Sequence, residues 1–311
     1  MIRTAFVFPG QGSQYIGMSK ELLSFSRAAE MLEEANEILG RNIKEICLNG
    51  PDEELRKTKN MQTSIFVISC ICLDLLKEAG IEPDIVAGHS LGEYTALVAA
   101  GLIDYKRGLK LVSSRADLMQ QAADKKPGTM AAVLGLDTID VVDVVDGIKN
   151  KGVINIANYN CPGQVVISGE RMLVEKASRV FEEMGAKRVI LLPLNGAFHT
   201  EMMKEAEDAL RDDIEQIVFK EAKIPIVSNS NAESSKDPLK IKTALERQMT
   251  GSVLWEQSVN RMLNENIGTF IEVGPGRVLS GLIRRIEKDV KVLNVEDSKS
   301  LEKTKSALIG K

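Results

Sequence analysis

The pentapeptide Gly88-His89-Ser90-Leu91-Gly92 lies between a short apolar run, Asp84–Gly88, and a helix-like segment, Leu91–Ala100. It leaves the chain almost no residues in which to turn from one into the other. A turn this sharp tolerates no Cβ on its flanks, which the bracketing glycines satisfy. The pattern therefore predicts a buried strand feeding directly into a helix, the repeating unit of an α/β sheet.

The rest of the chain repeats that alternation. Thr4–Phe8 reads as a buried strand ending at Pro9-Gly10. Lys20–Leu39 has helical periodicity and stops at Gly40. Asp52 opens another helix. Ser64–Ala79 is apolar nearly all round, which predicts a central buried helix. Asp104 caps a further one over Tyr105–Ala123. The break at Lys125-Lys126-Pro127-Gly128 starts a different rhythm. Strands over Thr129–Leu134, Val153–Ala157, Gln164–Ser168 and Lys187–Leu192, with helices over Ile139–Lys149 and Arg171–Met184, give the order β-α-β-β-α-β. Beyond Pro193 the first rhythm resumes. Helices are expected at Thr200–Ile217, Pro238–Met249, Val253–Asn266, Val278–Glu287 and the C-terminus, and strands at Ile224–Ser228, Thr269–Val273 and Val290–Val295. The expected fold is α/β: a large α/β-hydrolase-like domain (1–125 and 195–311) with a mostly parallel sheet, plus an inserted small ferredoxin-like α+β domain (126–194).

With 311 residues, 44% hydrophobic and 27% charged, the composition is globular and excludes a mainly disordered chain. The net charge of −4 and pI near 5.5 argue against a nucleic-acid binder. The apolar run Ile65–Leu73 is too short to span a bilayer, and the N-terminal segment lacks the features of a signal peptide, so no membrane association is expected and the expected compartment is the cytosol. Cys47, Cys70, Cys72 and Cys161 form no CxxC and match no zinc spacing, which predicts buried reduced thiols and no metal site.

Ser90 would present its hydroxyl at the tip of the turn, with the N–H of Leu91 free at a helix N-terminus to meet a developing oxyanion. A plain N-cap needs no bracketing glycines, so the nucleophile reading is preferred. The chain has two histidines, His89 and His199. His89 would point elsewhere on such a turn. His199, on a loop between the inserted segment and a new helix, is the better base, although without Ser90 it would read equally well as structural. The loop Phe8-Pro9-Gly10-Gln11-Gly12-Ser13-Gln14 is neither a dinucleotide fingerprint nor a P-loop. It reads as a tight strand exit or as the source of a second oxyanion donor, the Gln11 N–H. Arg115 has Leu111, Val112, Leu118 and Met119 as helical neighbours. The pattern alone favours an internal salt bridge or a head that snorkels to water.

FPGQGSQ (8–14), GHSLGEY (88–94), SSRADLM (113–119), ANYNCPGQVVISG (157–169), GAFH (196–199), Gln248 in ERQMTGSVLW and EVGPGRVLSGL (272–282) occur in this order over essentially the whole chain. Together they resemble the malonyl-CoA:acyl-carrier-protein transacylases of type II fatty-acid synthesis. The resemblance implies a ping-pong acyltransferase that takes malonyl-CoA and acyl carrier protein and needs no cofactor. It also implies Ser90 as acylated nucleophile, His199 as its base and the amides of Gln11 and Leu91 as the oxyanion hole. Arg115 would hold the malonyl carboxylate, and Gln248 would orient His199 or its loop. No carboxylate partner for the histidine is implied, and Phe198 fits members that prefer malonyl over bulkier groups. The rival readings are a serine thioesterase or esterase with water as acceptor, which would leave Arg115 without a purpose, and a catalytically silent interaction module.

Overall fold

The computed structural model describes residues 3–309. Among them ten strands alternate with helices: β1 Arg3–Phe8, β2 Ile85–Gly88, β3 Thr129–Leu134, β4 Ile154–Cys161, β5 Gln164–Gly169, β6 Arg188–Leu191, β7 Ile226–Val227, β8 Ser234–Ser235, β9 Ile267–Val273 and β10 Lys291–Val295. Six of them build one sheet in the order β10-β9-β1-β2-β7-β8. All of its pairings are parallel except β7 with β8. The central strands β1 and β2 are apolar on both faces because helices cover both sides, as a parallel sheet requires. Phe6, Phe8 and Val86 pack on one side, Ala5, Val7, Ile85 and Ala87 on the other.

The other four strands form a separate antiparallel sheet in the order β4-β5-β3-β6, with helices Thr138–Ile148 and Arg171–Glu183 in the connections. A core of its own, with Val141, Val145, Val174 and Phe181 packed on β3, β4 and β5, explains why the hydrophobic rhythm changes at residue 126. Strand β4 is anchored to the rest of the molecule, because Tyr159 N–H donates to the Val253 carbonyl at 2.9 Å and Val253 N–H to the Ala157 carbonyl at 2.8 Å.

Several element boundaries differ from the sequence-based expectation. The Lys20–Leu39 segment is broken at Phe25, which is extended (φ −97°, ψ 124°), so a single 3₁₀ turn precedes helix Ser26–Leu39. Its stop at Gly40 is left-handed as expected (φ 62°). Helix Ile43–Asn49, capped by the Asn42 side chain, had no assignment. The apolar helix starts six residues early, at Thr58, because the polar residues Asn60, Gln62 and Thr63 are buried along with the apolar ones. This helix, Thr58–Glu78, is long and apolar enough to cross a membrane by length and composition alone, but 89% of its apolar window is buried inside the protein. Thr200–Ile217 is a 3₁₀ turn followed by helix Lys204–Glu215, and β7 shrinks to two residues.

Candidate active site

Parallel pairing of β1 with β2 sets Phe8 opposite Gly88, so the loops leaving both strands emerge side by side. The Phe8 carbonyl accepts from His89 N–H at 3.0 Å and closes the start of the turn. A Cβ on Gly88 would lie 1.9 Å from the Gly92 carbonyl carbon, and one on Gly92 2.0 Å from the Phe8 oxygen. No side chain fits at either place, which is the physical reason for the two bracketing glycines. Ser90, between them, takes φ 48°, a left-handed conformation that is strained for a residue with a Cβ. The turn is clamped by Asn229, whose Oδ1 accepts the Ser90 N–H at 2.6 Å and whose Nδ2 donates to the Gly88 carbonyl at 2.6 Å.

Ser90 Oγ lies 2.9 Å from His199 Nε2. His199 is buried, and its Nδ1 faces the carbonyls of Gln248 and Gly251 at 3.0 and 2.9 Å. Two acceptors at Nδ1 require the proton there, which leaves the Nε2 lone pair toward Ser90. Burial, then the nearby Arg115 charge, lowers the His199 pKa to about 4, so the imidazole is neutral near pH 7 and able to accept a proton. Main-chain carbonyls take the place that a carboxylate holds in a Ser-His-Asp triad.

Arg115, on helix Tyr105–Lys125, neither snorkels nor pairs with a carboxylate. It is 1% exposed, and its guanidinium donates to three neutral oxygens: Gln62 Oε1 at 2.7 Å, Ser90 Oγ at 2.9 Å and Gln248 Oε1 at 3.2 Å. It lies 5.3 Å over the Tyr94 ring, and its Nε has no partner. Its charge is therefore buried without a carboxylate among its hydrogen-bond partners, an arrangement that can accept an anion. The Gln248 side chain makes no hydrogen bond to His199; its main-chain carbonyl does. Its amide donates to the Ser90 carbonyl at 2.8 Å and to Glu93 Oε2 at 2.7 Å, which turns Oε1 toward Arg115. Burial raises the Glu93 pKa to about 7, against the lowering effect of those hydrogen bonds.

Gln11 and Leu91 line the same cleft of about 510 Å³ as Ser90, Arg115 and His199. Among the described residues neither backbone N–H has an acceptor. His89 also borders the cleft, but its ring is occupied elsewhere: its Nε2 meets Asn160 Oδ1 at 2.9 Å and its ring packs on Trp255. The four cysteines are buried and free.

Sequence reasoning missed Gln62, Glu93 and Asn229. Gln62 lies ahead of the apolar segment expected from Ser64, among the polar residues Asn60 and Thr63, and carried no signal. Glu93 was a carboxylate whose neighbours one turn on in its helix, Ala96 and Leu97, are apolar. Asn229, in Ser228-Asn229-Ser230, looked like an ordinary loop residue.

An acyl transferase domain model matches residues 5–306. The chain is 42% identical over 304 residues to the malonyl CoA-acyl carrier protein transacylase of Bacillus subtilis, covering 97% of this chain and 96% of that one. It is 38% identical over 298 residues to the Staphylococcus aureus protein of the same name, covering 95% and 96%. The acyl-carrier-protein S-malonyltransferase structure from Burkholderia pseudomallei superposes with a TM-score of 0.95 at 41% identity, covering 98% of this chain and all of that one. A malonyl-transacylase solved in complex with a type II polyketide acyl carrier protein does so at 0.95 and 36% identity, covering 99% and 100%. On fold, site geometry and similarity over nearly its whole length, the chain belongs to the acyl transferase domain family, among the malonyl CoA-acyl carrier protein transacylases.

Proposed function

We propose that this protein transfers a malonyl group from malonyl-CoA to the phosphopantetheine thiol of acyl carrier protein, through a malonyl ester on Ser90. His199 Nε2 takes the Ser90 proton as Oγ attacks the thioester carbon. The resulting oxyanion is met by the N–H groups of Gln11 and Leu91. The tetrahedral species collapses with cleavage of the C–S bond, and the imidazolium returns its proton to the departing CoA thiolate. The second half repeats these steps in reverse with the carrier thiol as nucleophile. The acyl-enzyme ester breaks and the Ser90 hydroxyl is regenerated.

The observation that carries this reading is the Arg115 guanidinium, held 2.9 Å from the nucleophilic oxygen without an anionic contact. In a malonyl thioester one methylene separates the reacting carbonyl from the carboxylate, so a group that binds the carboxylate must lie beside the nucleophile. Gln62 and Gln248 hold the fork in place. Gln248 also supplies the carbonyl that keeps the proton on His199 Nδ1. A thioesterase acting on uncharged acyl groups has no use for that cation.

Residues 126–194 serve as an inserted ferredoxin-like domain. Its strand order β4-β5-β3-β6 and its two helices support this, and so does its separate core. It contributes Met130, Asn158 and residues 192–194 to the cleft wall. Residues 1–125 and 195–311 form the catalytic α/β-hydrolase-like domain, and the enzyme works in the cytoplasm on soluble substrates. Incubation with labelled malonyl-CoA, followed by buffer or by acyl carrier protein, tests the reading. An acyl-enzyme stable in buffer and discharged by the carrier supports it, whereas rapid discharge in buffer alone would make the protein a hydrolase.

A further inference from the structure

His199 is held at φ 61°, in the left-handed region that disfavours a residue with a Cβ. Besides Ser90 at Nε2 and Asn155, whose Nδ2 donates to the His199 carbonyl at 3.5 Å, the polar contacts of its main-chain N–H and of Nδ1 come from one loop. The Met249 carbonyl accepts the His199 N–H at 3.1 Å, and the Gln248 and Gly251 carbonyls face Nδ1. That loop is itself fixed by a buried carboxylate on helix Lys204–Glu215, the helix that follows His199. Glu207, 4% exposed, accepts with Oε2 both the Thr250 N–H at 3.1 Å and the Thr250 hydroxyl at 2.7 Å. Its other oxygen is met by Lys204 at 3.0 Å.

The Thr250 N–H and the Met249 carbonyl belong to one peptide group. A line of hydrogen bonds therefore runs from the Glu207 carboxylate through that peptide to the main-chain N–H of His199. A charged acceptor on the N–H side polarises the peptide and strengthens its carbonyl as an acceptor. We propose that Glu207 is a positioning residue for the base: through the Met249–Thr250 peptide it holds the strained His199 backbone and keeps the two Nδ1 acceptors in register, so that Nε2 faces Ser90. The proposal rests on the reading of Ser90 and His199 as nucleophile and base. It concerns a residue outside every motif that carries the family resemblance.

The test uses the full-length enzyme and the variants Glu207→Ala, Glu207→Gln and Thr250→Val. Two readouts are taken: the pre-steady-state rate of malonyl transfer to the enzyme as a function of malonyl-CoA, and the ¹⁵N spectrum of the imidazoles. The chain has only two histidines, so a His199→Asn control assigns the signals. Glu207→Ala should slow acylation about 10- to 100-fold with half-saturation little changed, as loss of a supporting hydrogen bond to a catalytic group does, and should turn a single Nδ1–H tautomer into a mixture. Glu207→Gln, whose amide oxygen still accepts from Thr250, should restore most of the rate and the single tautomer. Thr250→Val, which loses only the hydroxyl bond, should fall between wild type and Glu207→Ala.

A folded Glu207→Ala enzyme with wild-type rate and tautomer would overturn the proposal, as would equal losses in the Ala and Gln variants. If Glu207→Ala does not fold, Thr250→Val decides: slower acylation with mixed tautomers supports the proposal, and wild-type values overturn it. Failure of the underlying reading would look different, as malonyl labelling that survives in Ser90→Ala.

Discussion

Replacing Arg115 with alanine should convert a malonyl-selective enzyme into one that hardly distinguishes malonyl from acetyl thioesters. In the free enzyme the guanidinium is completely enclosed and bonded only to neutral oxygens. Without it, a bound malonyl carboxylate would lie in the same enclosed space with no cation. It would face the Gln62 and Gln248 carbonyl oxygens, which now point at an anion. Breaking one side of a desolvated charge pair costs about 2–5 kcal/mol. The two left-over acceptors place this case toward the upper end, so kcat/KM for malonyl-CoA should fall by about three orders of magnitude or slightly more. Acetyl-CoA brings no carboxylate, and its ground state no longer shares the pocket with an unpaired cation. Its kcat/KM should therefore change less than about fivefold, in either direction. Arg115→Lys should recover only part of the malonyl rate, because an ammonium cannot reach Gln62 and Gln248 and also offer a fork to the substrate. The assay is kcat/KM for both thioesters across the three proteins, with acyl carrier protein saturating. Equal losses for malonyl and acetyl substrates in Arg115→Ala would show that the guanidinium only supports the fold.

Two further predictions follow from the buried titratable groups. Burial and the Arg115 charge hold the His199 pKa near 4, and only the neutral imidazole can accept the Ser90 proton. The kcat/KM profile should therefore lose activity as pH falls through about 4, and in Arg115→Ala this acid limb should move upward; a wild-type limb at 6.5 or above would contradict it. Glu93 has its folded-state pKa raised from 4.5 to about 7, so the folded protein binds the proton more tightly than the unfolded chain. Its contribution to stability is fully present below pH 4.5 and is lost as pH rises through 7. Glu93→Gln should flatten that part of the profile, and denaturant unfolding of both proteins from pH 4.5 to 8 with unchanged slopes would refute the shift.

The turn at Ser90 was legible because most of its constraint is local. Gly88, Ser90 and Gly92 lie within five residues, and a Cβ on Gly88 would strike Gly92 inside the turn; the clash at Gly92, with the Phe8 carbonyl of the neighbouring strand, arises only on folding. The change of rhythm at residue 126 was equally plain, since the second sheet encloses its own core and must supply its own apolar residues. Arg115 was different. Its helical neighbours marked it as buried, but whether it meets a carboxylate, water or an amide depends on Gln62 and Gln248, 53 and 133 residues away in the chain. Gln62 itself was hidden because a buried amide in an apolar helix has no periodic signature. Its hydrogen bond to Arg115, made only after folding, explains it. Asn229 was invisible for the same reason: it clamps the Ser90 turn across 139 residues. The break at Phe25 was missed because helical periodicity continues on both sides of it.

Mass-spectrometric mapping of the malonyl adduct tests the central claim most directly. The wild-type enzyme, quenched in acid after brief exposure to malonyl-CoA, should carry one malonyl group on the peptide containing Ser90. Ser90→Ala should carry none, and acyl carrier protein should remove the wild-type adduct. The four cysteines are buried, and burial raises their pKa values, that of Cys47 to about 12, so no thiolate competes. A malonyl group found on any other residue of the active enzyme, or persisting in Ser90→Ala, would contradict the account.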